Sequence, residues 1–159
     1  MDTKLQSVYQ RFANKSMAAG ALFFDERSQI LIVNPIYRDD WLIPGGMVEQ
    51  YESPLQACTR EVKEELGLDA QIVQLLCVDY RSKEGKHPDN LQFIFYGGIL
   101  PVDVIKNIKL QSTELSEHRF VAFLEAQQLL NTKLAQRVSL ALEALKQNMT
   151  YYSEDSKKI

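Results

Sequence analysis

"GGMVEQYESPLQACTREVKEELGL", Gly45–Leu68, decides how this chain is read. It carries five glutamates and only two cations, Arg60 and Lys63. Ser53 suits a helix N-cap and Pro54 the first helical position. Gly67 suits a left-handed C′ residue, with Leu68 making the accompanying apolar contact. The pattern predicts a helix over Pro54–Leu66. At about 100° per residue, Leu55, Cys58, Val62 and Leu66 fall on one arc that can pack on a sheet. Glu61, Glu64 and Glu65 fall on another. Like charges three and four positions apart repel by roughly 0.2–0.5 kcal/mol per pair when exposed. Near a helix C-terminus the macrodipole adds to that cost. A hard divalent cation removes the repulsion. Mg²⁺ takes oxygen ligands and is usually held by one or two carboxylates together with substrate phosphates. The glycine turn lets a backbone carbonyl approach the same acids.

The rest of the chain supplies the surroundings of that helix. "SMAAGALFFDE" (Ser16–Glu26) and "QILIVNP" (Gln29–Pro35) read as a hairpin or two adjacent strands. "YRDDWLIPGG" (Tyr37–Gly46) has turn chemistry. "QIVQLLCVDYRS" (Gln71–Ser82) and "NLQFIFYGGIL" (Asn90–Leu100) read as strands, joined by the polar loop Lys83–Asp89. "IKNIKL" and "HRFVAF" are two further expected strands. "LEAQQLL" and "LAQRVSLALEALKQ" are helical by period, the second with Leu134, Val138, Leu142 and Leu145 on one stripe. The expectation is an α/β fold, a mixed β-sheet with helices on its faces, in one domain over residues 1–159. Residues 1–15 read as an N-terminal extension, and residues 148–159 as a polar tail that frays.

Bulk composition narrows the function classes. The chain has 159 residues, 45% hydrophobic and 25% charged, with a formal net charge of -3. That balance gives no general affinity for nucleic acid or anionic membrane. Cys58 and Cys77 lack the spacing of a zinc or redox pair and read as buried free thiols in a reducing compartment. The N-terminus lacks the apolar run of a signal peptide, and no segment reaches the roughly 20 apolar residues of a membrane span. The expected location is cytoplasmic.

The quoted stretch resembles the Nudix box, the signature of the Nudix hydrolases. Gly46, Glu52, Arg60, Glu61, Val62, Glu64, Glu65, Gly67 and Leu68 each stand at the family's spacing, without departure. The order of elements around it is similar to the family's α/β/α sandwich. The resemblance implies metal-dependent hydrolysis of the diphosphate bond in a nucleoside diphosphate linked to another group. It implies Glu61, Glu64, Glu65 and the Gly46 carbonyl as ligands of Mg²⁺, with Mn²⁺ as a substitute. It also implies an Arg60–Glu52 pair that holds loop and helix in register. Glu61, Glu64 or another loop acid takes the proton from water. Glu114, in "QSTELSEHRF", is a further candidate ligand or base. Arg81, at a strand end, is a candidate phosphate contact. Tyr37 and Trp41, flanking the turn, are candidates for stacking on a base. His87 and His118 lack ligand spacing.

The alternative reading is a non-catalytic Nudix-fold nucleotide sensor. Such modules, like the isoprenoid diphosphate isomerases, have a modified box, so the intact acids favour the hydrolase. Position 83, fifteen beyond Leu68, is lysine where ADP-ribose hydrolases often carry proline. Some dinucleoside polyphosphate hydrolases carry a tyrosine a little further on, whereas here none follows Tyr80 until Tyr96. A nucleoside triphosphate or a nucleotide sugar is left as the expected small-molecule partner. Homodimers occur among the relatives, and the residues do not choose an assembly.

Overall fold

The first apolar run has hydrophobic neighbours to meet on both sides, and that sets the layers. In the computed structural model, which describes Val8, residues 12–72 and residues 74–159, this run is β1 (Ser16–Phe24). Leu22 and Phe24 face one core, while Ala19, Ala21 and Phe23 face a second. Successive strand residues alternate between faces, so one strand serves both cores. The expected N-terminal extension lies largely outside the described residues.

Strand β2 (Ile30–Pro35) returns antiparallel to β1, with Phe24 opposite Ile30. The expected hairpin is therefore present. Then come β3 (Gly45–Met47) and helix α1 (Pro54–Leu66), followed by β4 (Gln74–Arg81) and β5 (Asn90–Ile99). After these lie α2 (Val102–Lys106), β6 (Leu115–Val121), α3 (Phe123–Leu129) and α4 (Thr132–Gln147). The last strands are β7 (Tyr151–Glu154) and β8 (Lys157–Lys158). The sheet order is β6-β2-β1-β5-β4-β7-β8, with β3 paired to β1. The β1–β5 and β4–β7 pairs are parallel and the others antiparallel. The expected mixed sheet is present. Helix α1 covers one face through Cys58, Val62 and Leu66, and α4 covers the other through Leu134, Val138, Ala141 and Ala144.

Helix α1 begins and ends as its sequence dictates. The Ser53 hydroxyl accepts from the Gln56 N–H, and the Gln56 side chain accepts from the Ser53 N–H. Gly67 sits at φ 70°, with its N–H on the Lys63 carbonyl. That conformation favours glycine. Leu55, expected on the packing stripe, is 43% exposed, while Cys58, Val62 and Leu66 on the same stripe are fully buried.

Two expected elements differ from the structure, each for a physical reason. "IKNIKL" forms no strand. Part of it completes α2, and the extended run after it caps α1, with the Lys109 and Gln111 N–H groups on the Leu66 and Glu65 carbonyls. Those carbonyls have no partner within the helix, so a neighbouring segment supplies one. The polar tail does not fray either. It adds β7 beside β4, with Tyr151 and Ser153 turned inward and buried. Among the described residues, no helix is long and apolar enough to cross a membrane.

Candidate functional site

The glycine turn is built so that backbone touches the acids of α1. A Cβ on Gly46 would lie 2.4 Å from the Glu61 carboxylate, so no other residue fits without moving it. Gly45 has φ 146°, and a Cβ there would lie 2.3 Å from the Ala19 carbonyl. The Gly45 N–H donates to Glu65 Oε2 at 2.9 Å. Pairing of β3 with β1 fixes all of this, since Gly46 lies opposite Ala19 and Gly45 opposite Gly20.

The three acids prove unequal. Glu65 is only 5% exposed. Seven residues separate it from Cys58, which puts the two about 20° apart around the helix, at the margin of the packing face. Burial pushes its carboxyl up to about 8, reinforced by the charges of Glu61, Glu114 and Glu64, although the Gly45 N–H pulls it down. Glu61 is half-buried and also held above the usual carboxylate range. Burial is the main cause, opposed by Arg60 and aided by Glu64 and Glu114. Glu64 is exposed. The expected separation of acids from the packing stripe therefore holds for Glu64 and fails for Glu65.

Arg60 is the hub. Its Nε and Nη2 donate to Glu52 Oε1 and Oε2 at 2.9 and 3.0 Å, a two-point pairing that fixes orientation as well as charge. Nη1 donates to Glu61 and Glu64 at 2.8 and 3.2 Å, and Nη2 also reaches the Met47 carbonyl. Arg60 holds the Glu52 carboxyl below its usual range, helped by the Glu49 N–H. The sequence reading paired Arg60 with Glu52 and missed its contacts with Glu61 and Glu64. As they stand, with Arg60 drawing two acids and Gly45 the third, no three His, Cys, Asp or Glu side chains among the described residues form a ready metal cage.

Beyond the turn lies a cavity of about 300 Å³, on the face covered by α4. Gly45, Gly46 and Met47 form one wall, and Tyr37 and Arg81 also line it. Tyr37 is 67% exposed, and its hydroxyl is raised by burial and by Glu65 and Glu114. Trp41 is not at the cavity. It packs in the core with the Arg119 guanidinium 4.8 Å from its ring centre. Glu114 is exposed in the turn before β6, and its carbonyl accepts from the Ile36 N–H. Its charge reaches Glu61, Glu65 and Tyr37. His87 closes a small turn with Glu84, and His118 stands in β6 opposite Val33.

Sequence reasoning missed a second ionic group on the cavity wall. Asp79 is fully buried, Arg137 is 4% exposed, and Arg137 Nε donates to Asp79 Oδ2 at 3.0 Å. A signal was present, since Arg137 stands three after Leu134 and four before Ala141 on the packed stripe of α4.

The comparisons agree with this geometry. The chain is 35% identical over 85 residues to the 8-oxo-dGDP phosphatase NUDT18 of Danio rerio, covering 52% of this chain and 25% of that protein. It is 35% identical over 81 residues to the human diphosphoinositol polyphosphate phosphohydrolase NUDT4B, covering 50% and 45%. The chain thus spans less than half the length of these curated relatives. Among solved structures, a MutT protein from Methanosarcina mazei Go1 superposes with TM-score 0.68 at 20% identity, covering 86% of this chain and 99% of that one. The NUDIX domain of Shewanella oneidensis NrtR, complexed with ADP ribose, superposes with TM-score 0.68 at 17% identity, covering 91% and 99%. At such identities the likeness speaks for the fold. The sequence model of the NUDIX domain matches residues 14–142. That span takes in the whole of β1 to β6, the glycine turn and the acidic helix, and on it the chain belongs to the NUDIX domain family.

Proposed function

We propose that the chain is a pyrophosphohydrolase that cleaves the diphosphate bond of a nucleoside diphosphate derivative. One observation carries this reading: a cluster of mutually repelling carboxylates, two of them held above their usual range, adjoins a cavity lined by cations. Glu61, Glu64, Glu65 and the Gly46 carbonyl make an all-oxygen donor set suited to a hard divalent cation, Mg²⁺ or Mn²⁺ in its place. Glu114 is the further acid within electrostatic reach. Such a cation supplies screening of the diphosphate and makes water more acidic.

The chain's own residues do the rest. Gly45 and Gly46 hold backbone against the acids so that no side chain intrudes. Glu52, through Arg60, fixes that turn to α1, a supporting role of the kind that keeps ligands in register. Arg81 stands at the cavity for a phosphate oxygen, and exposed Tyr37 for the rim. The base that takes the proton from water is drawn from Glu61, Glu64, Glu65 and Glu114. Positioning and charge stabilisation then supply most of the acceleration. Residues 1–159 act as one domain, supported by two cores that share one sheet. The buried free thiols of Cys58 and Cys77 support a reducing, cytoplasmic setting.

The test is a screen with Mg²⁺ present. Nucleoside triphosphates, nucleotide sugars, ADP-ribose, dinucleoside polyphosphates and capped RNA are offered, and phosphate and nucleotide release are measured. Release from a nucleoside triphosphate or nucleotide sugar is expected. Tight nucleotide binding with no release from any substrate would sink the hydrolase and favour the non-catalytic sensor.

A further inference from the structure

We propose that Arg81 and Lys133 form a phosphate seat at the end of the cavity away from the glycine turn, so that the preferred ligand carries a second phosphate besides its scissile diphosphate. The inference rests on the pyrophosphohydrolase reading above and selects, among nucleoside diphosphate derivatives, those with a further phosphate. Its first support is the charge of the cavity. Arg38, Arg81, Lys133 and Arg137 line it, and among the described residues no acid does. In a chain of net charge -3 that is a local field of the opposite sign. Arg137 has Asp79 as its counterion, and Arg38 has Asp40 at 3.1 Å. Arg81 and Lys133 share Glu84.

The second support is how those two heads meet. Arg81 Nη2 lies 3.7 Å from Glu84 Oε2, and Lys133 Nζ contacts the same oxygen. One acidic oxygen between both cations shows that the pair converges well enough to seat one anion. Glu84 is exposed, in the small turn closed by His87, and it is not part of the cavity lining. Exposed ion pairs contribute little, so a phosphate that reaches the two heads from the cavity displaces it. The arginine fork and the lysine point charge both suit phosphate oxygens.

The third support is that the backbone under the seat is held in advance. The turn between β7 and β8 places Asp155 at φ 49° and Ser156 at φ 63°, a region that few residues other than glycine adopt. In that conformation the turn grips both cation-bearing elements. The Asp155 N–H donates to the Tyr80 carbonyl at 2.8 Å, and Asp155 Oδ1 accepts from the Ser82 N–H at 2.9 Å, one on each side of Arg81. The Ser156 hydroxyl reaches the Lys133 carbonyl at 3.1 Å. The Asp155 charge also reaches both cations, but its carboxylate is committed to Ser82 and is likewise outside the lining. Elements fixed before binding avoid the cost of ordering them on binding.

Position is the last support. Met47, Ala18, Gln92 and Asp79 are register partners in one row from β3 through β1 and β5 to β4. Arg81 stands two residues further along β4, on the same face. Three strand steps of about 4.8 Å separate the glycine turn from that strand. Both heads are drawn outward to Glu84, beyond the end of β4. A diphosphate at the turn and a second phosphate at Arg81 and Lys133 fit the two ends of the cavity.

The experiment uses the full chain in chelator, where the acids of α1 repel phosphate from the turn. Inorganic pyrophosphate is titrated by calorimetry into the wild type, Lys133→Ala and Glu84→Gln. Lys133→Ala is expected to weaken binding by about 10-fold. Glu84→Gln, which frees both heads, is expected to tighten it by about 2–5-fold. A bridge with only a structural role gives no such gain. The wild type and Lys133→Ala are then offered NADH against NADPH, and dephospho-coenzyme A against coenzyme A, pairs that differ by one phosphate outside the diphosphate. A preference of about 10-fold for the phosphorylated member of at least one pair, lost in Lys133→Ala, is expected. No pyrophosphate binding, an affinity that either variant leaves unmoved, or equal wild-type affinity within both pairs overturns the proposal. So does a preference that survives in Lys133→Ala. Turnover of nucleotides with Mg²⁺ alongside any of those results leaves the hydrolase standing and removes this inference. The expected binding pattern without turnover of any nucleotide does the reverse.

Discussion

Two ionic groups lie on opposite faces of the sheet, and they are balanced in opposite ways. On the α1 face, one cation, Arg60, serves Glu52, Glu61 and Glu64, and acids remain in excess. On the α4 face, one anion, Asp79, is served by Arg137, Ser153 and Ser156, and a donor remains in excess. The first group is partly open to solvent and the second is sealed. An excess of carboxylates asks for a cation, and an excess of donors asks for an acceptor.

The largest test of that contrast falls on the acidic side. Glu64→Gln removes one charge from the surplus and is expected to cut kcat/KM by about 10³-fold, the scale of losing a transition-state charge partner. Its melting temperature is expected to hold or rise slightly, because one repulsion goes with it. Full activity with lowered stability would turn the acids into a structural face. The sealed side should respond in the opposite sense. Asp79→Asn leaves the buried Arg137 uncompensated and is expected to cost about 3 kcal/mol. For a chain of this size the midpoint then falls by roughly 6–12 °C, read in a thermal melt.

The contrast also has a pH signature. Glu65 sits near 8 in the fold against an ordinary 4.5. Between those values the folded, metal-free protein holds a proton that the unfolded chain has released. This contribution to stability is whole below about pH 4.5 and lost as pH rises through about 8. Melting curves in chelator are expected to fall by several degrees from about pH 5 to 8, and Glu65→Gln to flatten that slope. A slope unchanged in the variant would place the titration elsewhere. The smallest effect belongs to a pair in neither group. Lys63 meets Asp69 at 2.7 Å in open solvent, and Lys63→Ala is expected to shift stability by less than about 0.5 kcal/mol.

What could be read in the residues followed how local the cause was. The ends of α1 were legible because capping is settled within a few positions, at Ser53, Gln56 and Gly67. The box acids were legible because their spacing is fixed by one helix. Glu65 was misplaced because it was grouped with the other acids by charge, although the wheel sets it about 20° from Cys58 at the margin of the packing face. The tail was misread because its inward residues are Tyr151 and Ser153. Ser153 counts as polar until Asp79, 74 positions earlier, accepts its proton. "IKNIKL" was misread because the carbonyls it caps lie on α1. Trp41 was a candidate for stacking with core packing as the favoured reading, and the structure packs it in the core.

Asp79 also has a history within each synthesis of the chain. Its strand emerges early, yet the hydroxyl and amide that steady it come 74 and 77 residues later. A growing chain makes the acidic helix, with its local hydrogen bonds, well before β7 can dock on β4. The hydrogen bonds around Asp79 are therefore the last of this group to be finished, and until then Asp79 lacks the donors that steady it. A ribosome-stalled chain lacking β7 is expected to carry the box without the Ser153 and Ser156 donors to Asp79.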